Sequence, residues 1–138
     1  MSGRMGRYVI FAAAGRKLAL PLDKTAEVLE GVATHPVPAV PPLLGRALNV
    51  HGRIMPVLDL ATFLRGGAIE RNHTILVLNR QVADLALLVE GPVTIVSAEE
   101  SARFPSEHPR FEGYLEIAGK RTGILSADRL IKEVEGIL

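Results

Sequence analysis

LNVHGRIMPVLDLATFL, residues 48–64, is the stretch whose reading decides the fold. An apolar strand runs up to His51-Gly52, where the chain turns. A second apolar run follows from Arg53, and after Asp59 the spacing becomes helical. The pattern is strand, tight turn, strand, helix. His51 and Asp59 are its two residues of chemical interest, and each either does chemistry or shapes the chain.

Outward from this stretch, short β-like runs dominate. YVIFAAA, a turn at Gly15-Arg16 and LALPL read as a hairpin. TILVLN followed by VADLALLV repeats it. HPVPAVPPLL, with Pro36, Pro38, Pro41 and Pro42, predicts an extended, non-helical connector, and FPSEHPRF plays the same part later. RGGA, Arg65 to Ala68, reads as a linker because it lacks the Lys-Ser/Thr of a phosphate loop. The clearest helix is the last one. Leu130, Ile131, Val134 and Leu138 fall on one face, Ser126 is the expected N-cap and Asp128 sits in the first turn.

The runs recur at a fixed offset of 67 residues. Sliding the chain by that amount lays YVIF on ILVL and LALPLD on LALLVE, and LNVHGRIMPVLDL falls without a gap on LEIAGKRTGILSA. Pro38 and Pro42 fall on Pro105 and Pro109, and Gly52 on Gly119. Two similarly built β halves within one domain follow from this order. Gly52 then supplies a hairpin turn. Asp59 falls on Ser126. Both residue types cap helices, so Asp59 reads as an N-cap rather than a catalytic acid. Short strands with Gly and Pro turns in two halves point to small closed barrels, because closure removes exposed apolar edges.

Composition limits the chemistry. The chain has 138 residues, 48% hydrophobic but only 4% aromatic, so Val, Leu, Ile and Ala must build the core. A net charge of +1 gives no field suited to nucleic acid, and Arg4 and Arg7 read as a solvated arm. The absence of cysteine excludes disulfides and thiolate chemistry. No apolar run reaches the roughly 18 residues of a membrane span, and the N-terminus does not read as a signal peptide; a cytoplasmic location is expected. His35, His51, His73 and His108 form no paired ligand spacing, and no serine has a nucleophile-elbow context. Neither metal, cofactor nor catalysis is expected, and a binding module is favoured. Glu27 stands between apolar Ala26 and Val28, either turned to solvent at a strand start or held on a contact surface.

With these residues in view, the chain resembles the CheW-like domains of bacterial chemotaxis, from about Tyr8 to Leu138. TAEVLEG is similar to the family's Val-x-Glu-Ile segment. LLGRALNVHGRIMPVLDL is similar to its motif Gly-Val-x-Asn-Leu-Arg-Gly-x-Ile-x-Pro-Val-x-Asp-Leu, with matches at Gly45, Asn49, Gly52, Ile54, Pro56, Val57, Asp59 and Leu60. LALLVEGPVTIV is similar to a Gly-x-x-Val-Asp-x-Val segment. The resemblance implies a mainly β fold of two SH3-like five-stranded β-barrel subdomains packed together, with a C-terminal helix. Residues 1–6 would be a flexible arm, and 7–138 one domain of two pseudo-repeated halves.

The role implied is a non-catalytic scaffold that couples the cytoplasmic tip of a chemoreceptor to the regulatory domain of a CheA-type histidine kinase. Glu27, Val28, Gly45, Asn49, Gly52 and Val89 would line or support the receptor groove, and His51 would occupy a recognition position. Two departures stand out: His51 replaces the motif's Arg, and Glu90 its Asp. Arg carries a permanent fork of donors and His does not. Arg46 and Arg53 are close enough in sequence to compensate. The His51 departure leaves room for an alternative, a divergent CheW-like adaptor in another signalling or surface-motility pathway. Neither nucleic acid binding nor membrane insertion is expected.

Overall fold

The computed structural model describes residues 5–64, 73–99 and 103–137. The proposed Arg65–Ala68 linker, the first four residues of the N-terminal arm and Leu138 lie outside them. Among the described residues eleven strands and two α-helices follow in chain order. They are β1 (Met5–Ala13), β2 (Arg16–Pro21), β3 (Thr25–Glu30), β4 (His35–Pro36), β5 (Arg46–Val50), β6 (Arg53–Asp59), α1 (Leu60–Phe63), β7 (His73–Leu78), β8 (Ala86–Glu99), β9 (Arg103–Phe104), β10 (Phe111–Ile117), β11 (Lys120–Leu125) and α2 (Ala127–Ile137). The molecule is mainly β and forms two SH3-like barrels with a C-terminal helix. Two boundaries differ from the sequence expectation. β1 begins at Met5, because its backbone finds a partner in Glu99 of β8. The proline connector is not wholly extended: Pro42–Leu44 forms one 3-10 turn, closed by Leu44 N–H donating to Pro41 O.

Strand pairing obeys the 67-residue offset in register. Val9 pairs with Leu20, and Leu76 with Leu87. Asn49 pairs with Ile54, and Glu116 with Arg121. Val28 pairs with Leu76, and Ile95 with Val9. The two parallel contacts correspond as well, Val57 beside Ala86 and Ile124 beside Ala19.

The two sequence halves exchange their first hairpins. β7 and the start of β8 pair with β3 and β6 of the first half. β1 and β2 pair with the end of β8 and with β11 of the second. Thus β3, β5, β6, β7 and Ala86–Glu90 build one barrel, and β1, β2, β10, β11 and Thr94–Glu99 build the other. β8 passes between them and carries a cis Gly91-Pro92 bond between its two paired stretches.

Among the described residues three apolar cores result. Leu48, Val50, Met55, Val57, Ile75, Val77 and Ala86 fill the first barrel. Tyr8, Ile10, Ala19, Leu115 and Ile124 fill the second, and each of these five lies 67 residues from a member of the first set. The largest core draws on both halves, from Phe11, Leu20 and Leu58 to Leu87, Phe111 and Leu130. Helix α2 closes it, with Leu130 and Val134 buried on its inner face. Ser126 caps α2 by accepting from Arg129 N–H at 3.3 Å, and Asp59 caps α1 by accepting from Thr62 N–H at 3.2 Å.

Candidate functional site

The β5–β6 turn carries the most distinctive polar arrangement. His51 and Gly52 both have positive φ, 51° and 83°. A two-residue turn of this hand matches the twist of the strands it joins. Asn49 Oδ1 accepts from Gly52 N–H at 2.9 Å and fixes the turn. The turn in turn sets the direction of His51. Its Nε2 lies 2.6 Å from Glu27 Oε1 on β3. A carboxylate can only accept, so Nε2 carries the proton that is shared. β3 and the β5–β6 hairpin are not paired along the sheet, and this contact joins them across the end of the first barrel. His51 is the more exposed member, at 77% of its side chain against 35% for Glu27. At such exposure the pair orients groups more than it stabilises the fold, a contribution of about 0.2–1 kcal/mol.

The seven residues the sequence singled out separate in space. Glu27, Asn49, His51 and Gly52 come together. Val28 points to the other side of β3 and is 41% exposed, because strand alternation puts it opposite Glu27. Gly45 sits at the far end of β5, where its carbonyl accepts from Val37 N–H at 2.8 Å. Counted back from Asn49, the motif's first glycine falls on Arg46, so Gly45 stands one position early. Val89 is fully buried in the shared core and supports the fold from within.

Neither nearby arginine substitutes for the missing motif Arg. Arg46 donates to Thr34, through Nε to the hydroxyl and through Nη2 to the carbonyl at 2.7 Å. Arg53 pairs with Asp84. Thr34 and Asp84 carry no signal in the sequence, since each lies in a loop whose path only the tertiary fold sets. Glu90, the other departure, lies on β8 opposite His73 and Ala12.

Two concavities flank these strands. One, of 540 Å3, opens beside Gly91-Pro92 of β8 and is lined by Glu30, His73, Gly91 and Pro92 among others. The other, of 270 Å3, is an apolar groove on the outer face of the β5–β6 hairpin. None of the seven predicted residues lines either. Among the described residues no group of three or more His, Asp or Glu could hold a metal ion. No described helix is long and apolar enough to cross a membrane.

Comparison with known proteins agrees with this architecture. The fold matches the crystal structure of the scaffolding protein TtCheW from Thermoanaerobacter tengcongensis with a TM-score of 0.80. The match covers 89% of this chain and 90% of that one at 20% sequence identity. Curated proteins gave no match. The CheW-like domain model matches residues 7–135, and the chain belongs to the CheW-like domain family.

Proposed function

We propose that this chain is a non-catalytic scaffold that couples the cytoplasmic tip of a chemoreceptor to a CheA-type histidine kinase. The observation that carries the reading is the His51–Glu27 contact. It joins the two segments most similar to the family motifs, TAEVLEG and LNVHGRIMPVLDL, at one barrel end. Family membership and the name of the scaffolding protein TtCheW support the role. The surface around the pair offers a carboxylate, an imidazole and a rigid turn, which suits recognition of polar side chains on a helical hairpin. The His51 departure favours one second reading, an adaptor that serves another signalling or surface-motility pathway.

The test is a titration with a receptor-tip fragment and, separately, with the kinase regulatory domain. The wild type should bind both. Glu27→Ala should weaken the receptor fragment selectively. His51→Arg should tighten it by about 1 kcal/mol, because an Arg can hold Glu27 and still present free donors. Binding of neither fragment by any variant would favour the second reading.

A further inference from the structure

The pseudo-repeat provides an internal comparison. The outer faces of the β5–β6 and β10–β11 hairpins are equivalent at the 67-residue offset, yet they are finished differently. In the second barrel aromatic rings cover the strands. Phe111 is 1% exposed and meets Tyr114 edge-on at 5.8 Å. It lies so close to Gly123 that a Cβ there would come within 2.7 Å of the ring. The guanidinium of Arg121 sits 4.9 Å from the Phe104 ring centre and 6.0 Å from that of Tyr114. A cation thus covers a patch of rings.

In the first barrel the same positions are aliphatic. Phe104, Phe111, Tyr114, Arg121 and Gly123 correspond to Val37, Leu44, Ala47, Ile54 and Pro56. These five residues line the apolar groove of 270 Å3, which Val134 of α2 also borders. Ile54 is 70% exposed and Val40 36%, so the groove leaves apolar surface in water. An apolar cavity of about 150 Å3 accommodates benzene, so there is room for a ring. Arg46, anchored by Thr34, stands at the rim. Arginines cover aromatic rings elsewhere in this molecule, Arg16 over Phe111 at 5.2 Å and Arg110 over Phe63 at 4.4 Å.

We infer that this groove is a docking site for an aromatic side chain of a partner protein. The side chain takes the place that the chain's own rings take in the second barrel, with Arg46 as the covering cation. The inference rests on the reading of the chain as a protein-docking scaffold, but its test requires neither receptor nor kinase. Methyl-labelled protein is titrated with p-cresol and with indole, the ring groups of Tyr and Trp, and with isoamyl alcohol as an aliphatic control. The aromatic probes should give saturable shifts confined to Val37, Val40, Leu44, Ile54 and Val134. The control should bind roughly two- to fivefold more weakly, since it offers no ring face to the exposed Arg46.

Ala47→Tyr, which copies the second barrel's own residue, and Ile54→Arg should each abolish the shifts. Ile54 is exposed, so its replacement keeps the test valid if Ala47→Tyr does not fold. A selection of random peptides on the wild type, counter-selected on Ile54→Arg, should enrich Phe, Tyr or Trp. Absent or non-saturable shifts, equal binding of the aliphatic control, persistence in both variants, or enrichment of aliphatic residues alone would each overturn the inference.

Discussion

Among the described residues three two-residue turns close hairpins, at Ala14-Gly15, His51-Gly52 and Ala118-Gly119, and all six of these residues have positive φ. The second position in each is Gly, which adopts that conformation without strain. The first is not. Left-handed backbone costs Ala roughly 1–2 kcal/mol, whereas Asn, Asp and His tolerate it better. Ala118→Asn should therefore stabilise the protein by about 0.5–1 kcal/mol, measured by urea denaturation. A loss of stability would mean that the exposed Ala118 makes contacts its surroundings do not suggest. The same rule explains why His is acceptable at position 51 and why its ring can reach Glu27. The turn itself was legible, since Gly52 and Gly119 recur at the repeat offset. The partner of His51 was not. Strand alternation gives Glu27 a side of β3 but not the strand end that side meets.

At the scale of elements, hairpins, caps and the terminal helix were legible because each is local. Alternation marks a strand, and Asp59 and Ser126 mark helix starts. Which hairpin joins which half was not legible. The deciding contacts are parallel, β6 with β8 and β2 with β11, and β2 and β11 are about a hundred residues apart in sequence. Periodicity fixes the face of a strand and leaves its neighbour open. Sequence repetition suggests two barrels, one per half, whereas each barrel takes a hairpin from the other half. A consequence can be measured. Fragments 1–67 and 68–138, made separately, should each fail to give a folded monomer, because each lacks the hairpin that completes its barrel. Mixed, they should regain the circular dichroism spectrum of the intact chain. A folded monomer from either fragment alone would refute the exchange.

At the scale of the whole molecule, the distribution of apolar cores sets the mechanics. The two barrel interiors are small, and the core between the barrels is the largest of the three. A single side chain adds to this junction. Arg110 donates to Glu133 of α2 at 3.2 Å and to the Phe63 carbonyl of α1 at 3.2 Å, while its guanidinium covers the Phe63 ring. The short helix of the first half is thereby tied to the long helix of the second. A molecule built this way cannot lose one barrel and keep the other, since every barrel shares strands and core with its neighbour. Calorimetry should show one transition whose calorimetric and van't Hoff enthalpies agree. Leu48→Ala, placed deep in the first barrel where Leu48 is 1% exposed, should cost about 2–5 kcal/mol and lower that single transition as a whole. Near-complete hydrogen-exchange protection of β10 and β11 in the variant, with β5 and β6 exchanging freely, would show that the barrels are separable. The junction would then be a hinge, and the His51–Glu27 end of the first barrel could move without the second. Uniform loss of protection across both barrels is the expected result, because the hairpins that would have to part are paired to opposite halves.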